Sequence, residues 1–149
     1  MGESHQIRVA QLTDATEIAR LTIELGYPVS IEEISSRLPT LLSSVNHFAA
    51  VAAGQDSQLL GWALVEHRLL LESGDKAELT GLVVCTSARR TGVGKALVSA
   101  VEQWAAKQGL SSICVRSNIT RSESHPFYQG LGYIRKKTQH FYEKQLFPR

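Results

Sequence analysis

Long apolar runs are missing from this chain, and cysteine, methionine and proline are scarce. No stretch approaches the ~20 consecutive apolar residues of a membrane-spanning helix. The polar start, MGESHQIRV, lacks the apolar centre of a secretory leader, and His5 and Gln6 stand where a myristoylation signal wants Ser or Thr. A soluble, cytoplasmic protein that does not engage a membrane is expected. Cys85 and Cys114 are the two cysteines. Both sit in apolar, strand-like surroundings, which predicts buried reduced thiols and argues against a disulfide framework. The five histidines show no HExxH or related spacing, so no metal site is expected.

What is present describes an ordinary globular chain. Its 149 residues are 43% hydrophobic and 20% charged, which suits one domain spanning 1–149 around one core. The net charge of +2 gives no argument for nucleic acid, but its layout is uneven. Residues 1–88 carry 5 Lys/Arg against 11 Asp/Glu, a net −6, and residues 89–149 carry 11 against 3, a net +8. Summed fields of this kind favour an anionic ligand on the C-terminal half and a cationic one on the N-terminal half.

Periodicity places the elements. QIRVAQL (6–12) alternates as a strand, and Thr13 or Asp14 is positioned to cap a helix through Ile18, Leu21 and Leu25 that stops at Gly26. Ser30 caps a second helix with Ile31, Ile34 and Leu38 on one face and Pro39 near its end. HFAAVAA (47–53) and QLLGWALVEHRLLL (58–71), parted by the turn cluster GQDS, predict an antiparallel pair. After the ESGDK turn, AELTGLVVC (77–85) reads as a buried strand. A helix follows with Leu97, Val101, Trp104 and Ala105 on its apolar face. SSICVRS (111–117) is a further strand, SHPFYQGLG (124–132) a short helix, and YIRKKTQHFYEKQL a last strand or strand pair.

Between the 77–85 strand and its helix lies Arg89-Arg90-Thr91-Gly92-Val93-Gly94-Lys95. Glycines entering a helix make an anion site because unpaired N–H groups of the first turn point at the ligand and glycine permits close approach. A P-loop would need Gly where Arg89 stands and Ser or Thr where Ala96 stands; a dinucleotide fingerprint would need Gly or Ala at Leu97. Both nucleotide patterns fail. The remaining pattern, Arg/Gln-x-x-Gly-x-Gly/Ala, resembles the pyrophosphate loop of the GNAT superfamily of acyl-CoA-dependent N-acetyltransferases. ELTGLVV before it and FYQGLGY after it also resemble that family, as does the longer run VRSNITRSESHPFYQGLGYIRKKTQHFYEK.

The resemblance implies a mixed, mostly antiparallel sheet of about six to seven strands flanked by about four helices. It further implies acetyl-CoA as cosubstrate and direct acetyl transfer to a primary amine of a small molecule or peptide in a ternary complex. The backbone of Arg90, Thr91, Gly92, Val93, Gly94 and Lys95 would hold the pyrophosphate, helped by the charges of Arg89, Arg90 and Lys95. Leu82, Val83 and Val84 would carry the pantetheine arm, and the Val84 N–H would donate to the thioester oxygen. Tyr128 would protonate the departing thiolate, a fitting task for a phenol of ordinary pKa about 10.

For the base, period-two alternation places Glu78 on one strand face with Thr80, Leu82 and Val84, with Glu66 and His67 as competitors. Asn118 or Arg121 would touch the cofactor, and Ser124 would cap near the cofactor arm. Cys85 has no His or Lys beside it in sequence and is a poor candidate nucleophile. The acceptor is expected to be cationic, such as a polyamine, an amino sugar or a protein amine. A homodimer is implied by resemblance alone. The alternatives are a non-catalytic acyl-CoA sensor, a protein lysine or N-terminal acetyltransferase, and a nucleotide-binding module.

Overall fold

Alternation in Gln6–Val9 yields β1, and the chain then turns through a short 3-10 segment, Leu12–Asp14, into helix α1, Ala15–Glu24. The computed structural model describes residues 5–117 and 124–147. These belong to two compact units, Met1–Arg116 and Ser117–Arg149. Asp14 does not cap α1 with its side chain. Its carboxylate instead accepts the Gln11 N–H at 2.8 Å and a two-pronged bond from Arg8 at 2.8 and 3.0 Å, fastening the helix entry to β1.

Helix α2, Ile31–Ser43, opens with a full capping box: Ser30 Oγ accepts the Glu33 N–H and Glu33 accepts the Ser30 N–H. The helix continues past Pro39 rather than ending close to it. Strands β2 (His47–Ala53), β3 (Leu59–Leu70) and β4 (Gly74–Val84) follow as antiparallel neighbours. The GQDS turn between β2 and β3 holds Asp56 and Ser57 at φ 58° and 64°, the left-handed region in which Asp is among the better tolerated residues. Helix α3, Val93–Lys107, then leads to β5, Ile113–Val115, which runs parallel to β4. The sheet order is β1-β2-β3-β4-β5.

The two sheet faces are covered differently. Ala50, Ala63, Val65, Ala77 and Leu79 face α3, whose Leu97, Val98 and Val101 are buried to within about one per cent. Full burial of each such side chain contributes roughly 1.5–3 kcal/mol. Phe48 stacks on Trp104 at 5.9 Å on this side. The opposite face carries Trp62, whose indole N–H donates to Thr22 Oγ1 of α1 at 3.1 Å.

The second unit contains α4, Ser124–Gly130. The last strand or strand pair expected over 133–146 does not form: residues 133–147 take no strand, and five strands, not six or seven, are present among the described residues. Phe141, Tyr142, Leu146 and Phe147 there are each at least three-quarters exposed. Alternation made a strand of this segment on paper, yet a strand holds only when pairing and burial of one face support it.

Candidate active site

The geometry of the site turns on one extra residue in β4. Leu79 pairs with Val65 but Gly81 pairs with Leu64, so Thr80 is a bulge with no counterpart on β3. Each bulge reverses the in-and-out alternation beyond it. Glu78 therefore shares a face with Glu66, Leu64, Trp62, Gly81 and Val83, the side of α1 and α2, whereas Leu82 and Val84 point to the α3 side. The expected shared face of Glu78, Leu82 and Val84 is thus corrected. His67 lies on the α3 side, where its Nε2 is 2.8 Å from Asp75, on the other face from Glu78.

Glu66 and Glu78 stand directly opposite one another across β3 and β4, a juxtaposition that repels unless a cation intervenes. Arg68 is that cation. Its Nη1 donates to Glu78 Oε1 at 2.7 Å and its Nε lies 3.3 Å from Glu66 Oε1. The Glu78 bond holds the guanidinium pKa above its ordinary value. Arg116, just beyond β5, donates to the other Glu78 oxygen at 3.2 Å. Both oxygens of this buried carboxylate thus accept guanidinium N–H groups. Glu66 extends the chain to His47 Nε2 at 3.1 Å, and Ser44 Oγ lies 2.8 Å from His47 Nδ1. Arg68 and Arg116 were missed from sequence. Arg68 had a signal, since it lies two residues after Glu66 on the same strand face.

On the far side of β4 the sheet opens. Pairing with β5 covers only Ala77↔Ile113, Glu78↔Cys114 and Leu79↔Val115. No described residue of β5 accompanies β4 from Thr80 to Val84. The Cys85 N–H donates to the Leu60 carbonyl at 2.8 Å. Antiparallel pairs alternate between bonded and non-bonded, so the main-chain N–H groups of Val84 and Leu82 turn away from β3 toward the side β5 has left. Val83, between them, is buried. Cys85 is buried beside Ser87, at 3.4 Å between Sγ and Oγ. The half-buried Cys114 has its pKa raised, first by burial and then by Glu78.

The stretch from Arg89 to Lys95 turns from the sheet into α3. Arg90 adopts φ 65° and Gly92 φ 91°, so the turn needs left-handed backbone at two positions, only one of them glycine. Thr91 folds back on the Ala88 carbonyl through both its N–H, at 3.3 Å, and its hydroxyl. Gly92 is the N-cap and provides no side-chain acceptor. The first intrahelical bond runs from Ala96 N to Gly92 O at 3.0 Å, and the N–H groups of Val93, Gly94 and Lys95 come before it at the positive end of the helix. Buried Val93 pins the turn, while Arg89, Arg90 and Lys95 are exposed.

In the second unit, Tyr128 is half-buried in α4. Its ring meets Phe127 edge-on at 5.1 Å and Tyr133 at 5.7 Å. Its carbonyl accepts the N–H groups of Leu131 and Tyr133 at 3.1 and 3.0 Å, while Gly132 takes φ 92° to close the helix. These bonds fix the ring's backbone in place. Ser124 begins the helix and Pro126 occupies its first turn, where no bond is lost. Asn118 and Arg121 lie outside the described residues. Among the described residues no group of three or more His, Cys, Asp or Glu could hold a metal ion, and no helix is long and apolar enough to cross a membrane.

A split sheet edge, a glycine turn opening a helix and a bulged carboxylate-bearing strand are assembled here in one unit. The model of the acetyltransferase (GNAT) family matches residues 16–133. An aminoglycoside N(6')-acetyltransferase type 1 from Klebsiella aerogenes is 32% identical over 152 residues, covering 98% of this chain and all of that relative. A second of the same name, from Serratia marcescens, is 30% identical over 78% of this chain and 83% of its own length. Among solved structures, the aminoglycoside N-acetyltransferase AAC(6')-Iy in complex with CoA superposes with a TM-score of 0.86 at 22% identity, covering 97% of each chain. The enzyme AAC(6')-Ih from Acinetobacter baumannii gives 0.81 at 17% identity, over 97% of this chain and 100% of that one. The chain belongs to the GNAT acetyltransferase family. It is an N-acyltransferase with acetyl-CoA as its acyl donor and an amine as its acceptor.

Proposed function

We propose that the chain acetylates a primary amine of a polycationic amino sugar of the aminoglycoside class, by direct attack within a ternary complex. The observation that carries this reading is the parting of β4 from β5 beyond Leu79, next to the carboxylate of Glu78 on β4. The names of the relatives supply the acceptor class.

In this reading, the pyrophosphate of acetyl-CoA rests on the N–H groups of Arg90 through Lys95. The pantetheine arm extends along Leu82, Val83 and Val84 as a substitute strand. The Val84 N–H donates to the thioester oxygen and strengthens its bond as negative charge develops there; a donor of this kind contributes a few kcal/mol of barrier lowering. Ser124, with Asn118 or Arg121, completes the grip on the cofactor.

The net −6 of residues 1–88 favours the acceptor's ammonium groups. Glu78 draws off the proton through a water, because each of its oxygens already accepts a guanidinium N–H. The neutral amine then attacks the thioester carbon, the C–N bond forms, the C–S bond breaks, and the departing thiolate takes the Tyr128 proton. No acetyl-enzyme intermediate is formed. The enzyme works in the cytoplasm, and two copies associate as a homodimer.

A thiol-release assay over a panel of amines tests the reading. Saturable turnover with aminoglycosides and little with neutral or anionic amines is expected. Equal turnover of all three classes contradicts the cationic acceptor. Preference for a lysine-bearing or N-terminal peptide would move the acceptor to protein.

A further inference from the structure

We infer that Glu24, the last residue of α1, is a positioning residue that sets the turn gripping coenzyme A. The inference rests on the assignment of Arg90 through Lys95 as the pyrophosphate grip. Glu24 Oε2 accepts the Thr86 N–H at 3.0 Å and the Thr86 hydroxyl at 3.2 Å, a link between residues 62 apart in the chain. Thr86 directly follows Cys85, whose N–H, just beyond β4, donates to the Leu60 carbonyl of β3. The carboxylate therefore seizes the chain at the point where it leaves the sheet, and the short 3-10 turn Thr86–Ala88 aims it at the glycine turn.

Such a hold has a purpose. The turn beyond it places Arg90, a non-glycine, at φ 65° and Gly92 at φ 91°, and a residue in that region persists only where its surroundings fix it. Buried Ala88 and Val93 anchor the turn from below. Glu24 anchors the stem.

The other end of the clamp is equally built. Arg20, one turn earlier in α1, lies 3.5 Å from Glu24, donates to Glu17 twice at 2.9 Å and donates to the Leu59 carbonyl at 3.1 Å. Glu17 accepts the Leu59 N–H at 3.0 Å. Three charged side chains spaced i, i+3 and i+7 thus hold the start of β3 and the exit of β4 from one helix. The Thr86 N–H bond is the foremost cause that keeps the Glu24 carboxyl below its ordinary pKa, so the clamp is ionised at neutral pH.

Its charge also argues for positioning rather than contact. A carboxylate that bonds the stem of this turn would repel phosphates bound there. A carboxylate placed there serves the protein chain, not the ligand.

The test is Glu24→Gln, which keeps the shape and removes the charge. Calorimetry with coenzyme A in about 500 mM KCl, which screens the carboxylate–phosphate repulsion, should show Kd about fivefold weaker, the factor expected of a partly exposed charge-assisted bond. The acetyl-CoA KM should rise in step, with kcat and the amine KM within about twofold and Tm within about 2 °C of wild type. Thr86→Ser, which retains both donors, should match wild type. A coenzyme A Kd for Glu24→Gln within twofold of wild type overturns the inference. So does a large fall in Tm with kcat and both KM values worsening together, which marks a general scaffold role. Gly92→Val separates the layers: if it weakens coenzyme A and Glu24→Gln does not, this inference alone fails. If neither variant weakens it, the assignment of the turn fails as well.

Discussion

At the scale of single residues, the proposed mechanism divides the chemistry between a carboxylate held by two guanidinium groups and a tyrosine held by its helix. Glu78→Gln leaves Arg68 and Arg116 without their shared anion, and kcat/KM for the amine should fall about 10²-fold with the acetyl-CoA KM nearly unchanged, the loss typical of a missing acid–base group. Steady-state kinetics varying each substrate in turn checks this. Tyr128→Phe removes the proposed proton donor but keeps the ring contacts with Phe127 and Tyr133. Its kcat should drop by about 10²-fold with both KM values little altered; unchanged turnover would remove Tyr128 as the acid. Tyr128 was singled out in sequence by its motif and Glu78 by its strand position. The face on which Glu78 lies was not. Strict alternation misplaces it because of the Thr80 bulge, although an isolated glycine within a strand pattern, Gly81, is the usual sign of one.

At the scale of elements, Gly81 has a second function. A Cβ there would stand 2.6 Å from the Trp62 ring, so Gly81→Ala should displace the indole and cost about 1–3 kcal/mol, read as a Tm several degrees lower by calorimetry. The fastening of α1 to β1 predicts an acid dependence. The Arg8 hydrogen bond holds the Asp14 carboxyl below its ordinary value of 3.8, with burial opposing and the Gln11 N–H assisting. Above that value the contribution is fully present, since Asp14 is ionised in both folded and unfolded chains. It is lost as pH falls through the lower folded value, because the unfolded chain takes the proton first. Urea midpoints from pH 7 to pH 3 should therefore decline at the acid end, and Asp14→Asn should flatten that decline without abolishing it, because Glu17 and Glu24 are shifted in the same direction. Caps and turns were readable at this scale: Ser30 with Glu33, and GQDS, carry their own local chemistry. The final strand was not, because its support would have to come from burial and pairing, which periodicity does not encode.

At the scale of the whole molecule, the opposed charges of residues 1–88 and 89–149, −6 and +8, should serve a cationic acceptor and an anionic cofactor. Raising KCl from about 50 to about 500 mM shortens the screening length severalfold. Both the acetyl-CoA KM and kcat/KM for a polycationic amine should worsen, whereas salt-independent kinetics would deny the charge layout any part in binding. The family was legible because three motifs fall in order between residues 77 and 133. The long-range contacts of Glu24 with Thr86 and Glu78 with Arg116 join residues far apart in sequence and leave no local mark.

The most direct test of the central claim is an initial-rate study with acetyl-CoA and an aminoglycoside bearing a primary 6'-amine, following thiol release and the acetylated product together. The account predicts saturation in both substrates, intersecting double-reciprocal lines and one acetylated amine per thiol released. Parallel lines with an isolable acetyl-enzyme, or no thiol release above acetyl-CoA hydrolysis, would contradict it.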